Sequence, residues 1–153
     1  MEILFVTGFS PIVADPSASR AFYSGVLELP LDHEEGAYVY ADSLTGIKHF
    51  GLWPLSEAAQ SCFGTDEWPS GVAVPQGTIE FEVADVAASA AELEAKGCQL
   101  VHPAKTEPWG QVIARVLSPE GLLVGLSHMP PVPDDGGESG SESGSGSGSQ
   151  PAA

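Results

Sequence analysis

Hydrophobic and polar positions form the same pattern twice along the chain, and each pattern changes at an aspartate. Apolar residues 3–13 predict a strand, and Asp15 is followed by apolar positions at helical spacing as far as Leu27. Thr78–Val83 predicts another strand, and Asp85, seventy positions after Asp15, begins an Ala-rich helical pattern. Each aspartate can accept hydrogen bonds from the free N–H groups of the helix start, and its charge suits that end of the helix dipole. Two such changes indicate a repeated module.

Short strands follow each predicted helix, so that each module has the order βαβββ. These strands are predicted at residues 31–33, 37–41 and 47–53 in the first module, and at 98–102, 111–117 and 122–128 in the second. Ser118-Pro119-Glu120-Gly121 fits a type I turn, and Ser43-Leu44-Thr45-Gly46 takes the equivalent place in the first module. The sequence therefore predicts an α+β fold with modules over residues 1–53 and 77–129. The long segment 54–76 is predicted to be a linker, with at most one helical turn.

Charge and composition limit the partners of the protein. The 153 residues carry a net charge of −16, and 42% of them are hydrophobic, which is enough for a core. Residues 130–153, rich in Gly, Ser and Glu, are predicted to be a disordered tail, but they hold only four of the 21 acidic residues. The acidity argues against nucleic acid or an anionic membrane as a partner. It favours a cationic ligand, or it simply provides an acidic surface.

Cysteine usage and the N-terminus bear on the cellular compartment. Cys62 and Cys98 have no close spacing, which suits a reducing cytoplasm better than a disulfide scaffold. Residues 1–6 lack a basic region and a cleavage site, so they are interpreted as a strand and not as a signal peptide. No apolar run approaches the ~20 residues that span a bilayer. We therefore expect a cytoplasmic protein.

The tandem βαβββ order resembles the vicinal oxygen chelate superfamily, which includes glyoxalase I, extradiol dioxygenases, fosfomycin-resistance enzymes and bleomycin-resistance proteins. Phe22-Tyr23 in the Asp-led helix, Trp109-Gly110 and the turn Ser118–Gly121 contribute to this resemblance, which covers roughly residues 3–128. It implies that each module curls its sheet into a half-open cup. It also implies that two modules enclose one site, within one chain or across a homodimer.

The resemblance implies where metal-using members of the superfamily would place ligands, on the first and last strands of each module. These positions are Gly8 and Thr78 on the first strands, and Gly125 and Phe50 on the last, with a possible shift from Phe50 to His49 or Gly51. Such residues do not supply the usual set of His, Glu or Gln ligands that a metal needs. We therefore expect no metal and no other cofactor.

Strand alternation assigns side chains to the two faces of the second module's first strand. Ile79, Phe81 and Val83 should pack on the helix, so Glu80 and Glu82 should point into the cup. Two carboxylates on a concave face are costly unless they are hydrated or paired, which makes a cationic ligand plausible. A wet rim, or carboxylates facing one another across a dimer, is an equal alternative.

Aromatic residues and one histidine complete the set of candidate residues. Trp53, Trp109 and Phe50 could form apolar walls that hold planar or cationic groups, although Trp53 also suits core packing and Trp109 suits a loop at the rim. His49 has the best claim among the four histidines because it neighbours an expected ligand position. A lone histidine on a strand is, however, more often structural.

Three functions follow from these residues and from the resemblance. The first is a metal-free binding protein of the bleomycin-resistance type, which sequesters a cationic or aromatic molecule and thereby confers antibiotic resistance. Its candidate ligand-binding residues are Glu80, Glu82, Trp109, Trp53, Phe50 and His49. The second is a lyase, isomerase or dioxygenase with a displaced metal site around His49 and Glu80 or Glu82. The third is a structural or regulatory protein that binds through its tail or long loop. No catalytic residue is assigned.

Overall fold

The computed structural model of the protein describes residues 1–119 and 121–130. Glu120 of the predicted turn and the predicted tail beyond Pro130 lie outside the described residues. Within the described part of the chain, no helix is long and apolar enough to cross a membrane.

The strands and helices follow the predicted order of two βαβββ modules, which confirms the α+β class. The strands are β1 Ile3–Val13, β2 His33–Glu35, β3 Tyr38–Ala41, β4 His49–Pro54, β5 Gly77–Val83, β6 Leu100–Thr106, β7 Val112–Leu117 and β8 Leu123–His128. The helices are α1 Pro16–Arg20, α2 Leu55–Phe63 and α3 Val86–Ala95, and α1 continues as a π-helical segment, Ala21–Val26.

All eight described strands form one sheet, in the order β2-β3-β4-β1-β5-β8-β7-β6. In each module the first strand pairs in parallel with the last, β1 with β4 and β5 with β8. The modules join through antiparallel pairing of β1 with β5, with Phe9 opposite Ile79. The two modules therefore form one continuous curved sheet within a single chain.

The two aspartates cap their helices as predicted. Asp15 Oδ1 accepts a hydrogen bond from the Ala18 N–H at 2.9 Å, and Asp85 Oδ1 accepts one from the Ala88 N–H at the same distance. Helix α3 buries Val86, Ser89 and Ala90, whereas α1 and its π-helical continuation bury no residue. The repeat is thus preserved in its caps but not in how tightly its helices pack.

Two equivalent hydrophobic clusters cover the helix face of the sheet. One contains Val13, Leu31, Val39, Ala41 and Leu52, and the other contains Val83, Val86, Ala90, Ala114 and Leu126. Because strand side chains alternate between faces, the intervening residues of the same strands point to the concave face. This face carries the candidate site.

Local boundaries differ from the prediction in two places. The linker holds α2, a helix longer than the single predicted turn, because its small apolar residues bury against the sheet. Strand β2 begins at His33 instead of Leu31, because the turn lies at Gly36, whose φ of 63° favours glycine. Glu34 and Glu35 are therefore strand residues, paired with β3.

Candidate ligand-binding site

A cavity of about 400 Å³ lies on the concave face of the sheet. Both modules line it, with β1 and β5 crossing its middle, β3 and β4 on one side and β7 on the other. Glu57 of α2 and Trp109 of the β6–β7 connection close its edges. This volume falls within the range of about 300–1,000 Å³ that is typical of small-molecule sites.

Four of the six predicted ligand-binding residues line the cavity: Glu80, Trp53, Trp109 and His49. Trp53 is also buried in the core, with a guanidinium 5.0 Å from its ring, so both interpretations of this residue apply. Trp109 is 53% exposed and lies at the rim, as predicted. The structure therefore brings most of the candidate residues together.

Glu82 and Phe50 lie outside the cavity lining. Glu82 shares a strand face with Glu80 but lies at the end of β5, where its carboxylate is 2.7 Å from Nδ1 of His128. The Phe50 ring contacts the rings of Phe9 and Tyr23 beside the first core cluster. Side chains alternate between the two faces along β4, so His49 points to the concave face and Phe50 points to the helix face.

The register of the strands defines a row of four residues across the floor of the cavity. Gly8 of β1 pairs with His49 on one side and with Glu80 on the other, and Glu80 pairs with Gly125. The first-strand ligand position expected in the second module was Thr78, but Thr78 pairs with Ser10, and Glu80 takes the place opposite Gly8. Gly8 and Thr78 lie at the same distance along the chain before their capping aspartates. Because β1 and β5 are antiparallel, these two residues lie on opposite sides of the Phe9–Ile79 pair and do not face one another.

This row does not fit the metal site that the resemblance implies. Two of its four members are glycines, which offer no side-chain ligand. Both ring nitrogens of His49 are within hydrogen-bonding distance of other side chains. Among the described residues, no group of three or more His, Cys, Asp and Glu side chains is placed to hold a metal ion.

The wall of the first module contains a hydrogen-bonded chain of three side chains. Asp42 Oδ1 lies 2.7 Å from His49 Nδ1, and His49 Nε2 lies 2.5 Å from the hydroxyl of Tyr38. Tyr40 stacks on Tyr38, with their ring centroids 5.4 Å apart. Burial raises the pKa of Tyr38 well above its ordinary value, so the hydroxyl keeps its proton at neutral pH.

Gly51 makes room for Tyr38. A Cβ at Gly51 would lie 2.5 Å from Cζ of the tyrosine ring, closer than any real contact allows. The ring therefore lies directly over the backbone of β4, which brings its hydroxyl next to His49.

The wall of the second module is built around Arg115, which is only 1% exposed. Its Nη1 donates to Ser61 Oγ at 2.7 Å and to Glu107 Oε1 at 2.9 Å. Burial opposes the charge of Glu107, but the hydrogen bonds from Ser61 and Arg115 outweigh it and lower the pKa of this carboxyl. The guanidinium charge is therefore balanced from behind the cavity wall.

A second chain of contacts orients Glu80 at the floor. The side-chain amide of Gln111 donates to Glu80 Oε2 at 2.9 Å, and the indole N–H of Trp109 donates to Gln111 Oε1 at 3.0 Å. Nη2 of Arg115 lies 3.9 Å from Glu80 Oε1. Glu80 thus keeps a fixed position while part of its carboxylate faces the cavity.

Negative charge predominates in the lining. Among the described residues, four carboxylates line the cavity against one guanidinium, and they belong to Glu35, Asp42, Glu57 and Glu80. Burial, and to a lesser degree the charge of Glu35, raises the pKa of Glu57. Arg115 Nε and Thr78 Oγ1 are buried without a hydrogen-bond partner among the described residues. The arrangement is an aromatic cavity that can stabilise a positive charge.

Sequence reasoning missed Tyr38, Tyr40, Asp42, Gln111 and Arg115. Three of these carry a signal in the pattern. Arg115 is the one charged residue of the otherwise apolar strand β7, and the two tyrosines alternate with the core residue Val39. The contact between Asp42 and His49 has no sequence signal, because it depends on how β3 and β4 pair.

A curved, mixed sheet built from two βαβββ modules, with a cup on its concave face, is the fold of the vicinal oxygen chelate superfamily. Residues 7–129 match the family model of the glyoxalase-like domain. The chain therefore belongs to the glyoxalase-like family of this superfamily.

Solved structures with the same fold are distant in sequence. A glyoxalase/bleomycin resistance protein/dioxygenase superfamily member from Vibrio splendidus is 20% identical, with a TM-score of 0.53 over 81% of this chain and 97% of that one. A variant of Streptomyces coelicolor methylmalonyl-CoA epimerase, in complex with 2-nitronate-propionyl-CoA, is 16% identical, with a TM-score of 0.53 over 86% and 98%. No curated protein matches the chain. At these identities, the likeness establishes the fold alone.

Proposed function

We propose that this protein is a small-molecule binding protein of the glyoxalase/bleomycin-resistance type, which holds a planar aromatic cation in its cup. The observation that carries the proposal is the excess of carboxylates in a cavity with aromatic walls. Sequestration of a toxic cationic compound, as in antibiotic resistance, would need no further chemistry.

Charge and aromatic surface act together in this proposal. A cation over an aromatic face gains about 0.5–2 kcal/mol, the larger value applying when it is desolvated. Tyr38, Tyr40 and Trp53 supply such faces on the side of β3 and β4, and Trp109 supplies one on the side of β7. Arg115 does not cancel the carboxylates of the lining, because its own charge is paired with Glu107.

The competing function, an enzyme with a displaced metal site at His49 and Glu80 or Glu82, has weaker support. His49 and Glu80 are separated by Gly8, and Glu82 lies outside the cavity and contacts His128. Only His49 and Glu80 face the cavity, and among the described residues no group of three or more His, Cys, Asp and Glu side chains is placed to hold a metal ion.

Titration with benzyltrimethylammonium, followed by tryptophan fluorescence, tests the proposal. We expect a saturable change, because Trp53 and Trp109 line the cavity. Glu80→Gln should weaken binding by about tenfold, since it removes a partly desolvated charge worth on the order of 1.4 kcal/mol or more. Added salt should weaken binding much less than it would at an exposed site.

Glu94→Gln is the matched control, because it makes the same change of charge on the exposed face of α3. It should leave the affinity unchanged. The proposal is overturned if the titration gives no saturable change, or if the two variants weaken binding equally.

A further inference from the structure

One end of the cup is closed by α2, and we call it the inner end. Trp53 lines the cavity and belongs to one buried cluster with Ala58 of this helix. Ser10 of β1 and Thr78 of β5 pair directly across the sheet, and both line the cavity. Ile12, two residues beyond Ser10, packs against the same buried cluster. Ser10 and Thr78 therefore lie one step along the sheet from the inner end.

Two buried side chains of the lining have a hydrogen-bonding atom without a partner among the described residues. These atoms are the hydroxyl oxygen of Thr78 and Nε of Arg115. Thr78 is 3% exposed and Arg115 is 1% exposed, and both line the cavity. An unpaired buried donor is costly, and such groups in native proteins nearly always have a partner. The two unpaired groups therefore indicate a partner that a ligand brings.

The contacts of Arg115 place its guanidinium at the inner end and hold it there. The guanidinium carbon lies 5.0 Å from the centre of the Trp53 ring. Nη1 donates to Ser61 of α2 and to Glu107, so the guanidinium is held from behind the wall. An Nε–H group can only donate, and a threonine hydroxyl can donate as well. The group that fits both Arg115 and Thr78 is therefore a hydrogen-bond acceptor.

The charges around Arg115 determine which acceptor fits. Nη1 of Arg115 lies 2.9 Å from Glu107 Oε1, and Nζ of Lys105 lies 3.5 Å from the same oxygen. Nη2 of Arg115 lies 3.9 Å from Glu80 Oε1. Two cations thus face two carboxylates, which leaves no positive charge for an anion. A neutral carbonyl oxygen accepts hydrogen bonds without adding a charge that must be desolvated.

A small movement lets a carbonyl oxygen reach the two donors. Both donor atoms are covered by their neighbours. A turn of the Thr78 side chain about its Cα–Cβ bond, from one staggered rotamer to another, exchanges the positions of its methyl and hydroxyl groups. The entering group must be small, because the side chains that it contacts are almost fully buried.

We propose that the inner end of the cup is an acceptor subsite, where Thr78 and Arg115 donate hydrogen bonds to a neutral carbonyl oxygen of the ligand. The ligand class is an aromatic cation whose ring carries a carbonyl group opposite the charged substituent. Glu80 lies two residues from Thr78 on the same face of β5, or ~7 Å along the strand, which is roughly the length of such a ring. The cationic group rests on the proposed function, whereas the carbonyl group rests on the two unpaired donors.

Two probes of the same shape test the subsite. 4-Acetylbenzyltrimethylammonium has a carbonyl oxygen where 4-isopropenylbenzyltrimethylammonium has a CH₂ group. Tryptophan fluorescence should show that the acetyl probe binds about tenfold more tightly, the effect of one hydrogen bond from a charged group. 4-Carboxybenzyltrimethylammonium should bind more weakly than the acetyl probe. Equal affinities of the acetyl and isopropenyl probes, or tighter binding of the carboxylate, would overturn the proposal.

Thr78→Val keeps the shape of the side chain and removes its hydroxyl. It should lower the tenfold preference for the acetyl probe to about threefold, because the Nε–H of Arg115 remains. Thr7→Val is the matched control, since it removes a hydroxyl from the same lining, where that group lies 3.5 Å from Ser127 Oγ. It should leave the preference unchanged. An equal loss of preference in the two variants would overturn the subsite.

Thermal unfolding judges the role of Thr78 without any ligand. Thr78→Val should raise the Tm, because a methyl group replaces a buried hydroxyl that has no partner. Thr7→Val should not raise it. A hydroxyl that serves only the fold would give the opposite result at position 78. A lower Tm of Thr78→Val would therefore overturn the proposal.

Neutral probes separate the subsite from the proposed function. In proton–nitrogen NMR, the Nε–H signal of Arg115 should move downfield with acetophenone but not with α-methylstyrene, which has the same shape. Arg20, the other arginine of the chain, is 47% exposed at the surface and should not respond. If benzyltrimethylammonium does not bind, the proposed function fails, but this signal still judges the subsite. An Arg115 signal unchanged by both acetophenone and the acetyl probe would overturn the subsite even if the cation binds.

Discussion

At the scale of single residues, the glycines of the concave face determine which side chains can enter the cup. Gly51 leaves space for Tyr38, and Gly125 leaves space for Glu80, whose Cγ would lie 3.1 Å from a Cβ at that position. Neither glycine needs its conformational freedom, because neither has a positive φ. Their function is to be small, so that larger neighbours on adjacent strands can lie over the sheet.

Gly51→Ala should lower the free energy of unfolding by about 1–3 kcal/mol, the usual cost of an added methyl group without space for it. The new Cβ must displace the ring of Tyr38, so the response to benzyltrimethylammonium should weaken as well. Chemical denaturation measures the first effect, and the fluorescence titration measures the second.

Gly71→Ala provides the comparison, because no atom lies within 4 Å of a Cβ at this glycine. Its effect should stay within about 0.5 kcal/mol, as is usual for surface substitutions. If the two alanine variants were equally stable, the close contact between Gly51 and Tyr38 would not exist in solution.

The sequence could supply only part of the candidate site, for a physical reason. Alternation within one strand is local, so it correctly placed Glu80 and Val83 on opposite faces of β5. Contacts between distant segments are not local. Ser61 and Arg115 are separated by 54 positions and meet only because α2 packs against the sheet. The pattern of β7 marks Arg115 as unusual, but its pairing with Ser61 has no signature in either segment alone.

At the scale of elements, the two helices that follow β1 and β5 share a cap but differ in their packing. Both start at an aspartate whose side chain accepts a backbone hydrogen bond, yet only α3 has buried residues. The caps, the alternation and the turn glycines were enough to predict the order of the strands. Helix α2 was harder to predict, because its N-cap residue is Pro54, whose side chain cannot accept a hydrogen bond from the helix start.

Asp85→Ala should lower the free energy of unfolding by about 1 kcal/mol, which is typical for the loss of an N-cap. The effect should be global, because α3 packs on the second core cluster. Thermal or chemical denaturation of the full chain measures it.

Asp66→Ala, in the exposed loop after α2, makes the same substitution where the structure shows no cap. We expect a change within about 0.5 kcal/mol. A loss as large as that of Asp85→Ala would mean that net charge, and not capping, determines the effect.

At the scale of the whole molecule, the buried pair of Arg115 and Glu107 joins α2 to the second half of the sheet. Glu107 lies in the β6–β7 connection, and its carboxylate accepts hydrogen bonds from Ser61 of α2 and from Arg115 of β7. Since folding lowers the pKa of Glu107, the ionised carboxylate stabilises the fold at pH values above 4.5, the ordinary pKa of this group. This stabilisation is lost as the pH falls through the lowered pKa of Glu107 in the folded protein.

Glu107→Gln should therefore be less stable than the wild type at pH 7, by about 2 kcal/mol, because a charged hydrogen bond to a buried guanidinium becomes neutral. Below pH 4.5, the ordinary pKa of this group, the difference in the free energy of unfolding should shrink as the wild-type carboxyl takes up a proton. Denaturant unfolding at a series of pH values measures this difference.

Glu94→Gln again serves as the comparison, since it changes the net charge equally without touching the buried pair. Its difference from the wild type should be small at every pH. A gap between Glu107→Gln and the wild type that stayed constant down to pH 3 would contradict the role assigned to this carboxylate.

The antiparallel pair of Phe9 and Ile79 marks a local twofold axis, which relates residues seventy positions apart. The linings of the two halves differ, with Tyr38 and His49 on one side and Gln111 and Arg115 on the other. Half a turn about this axis would move a ligand's cationic group away from the carboxylates of Glu35 and Asp42, which line the first half alone. The two halves of the sheet are nearly symmetric, but the proposed cationic ligand would have only one favourable orientation in the cavity.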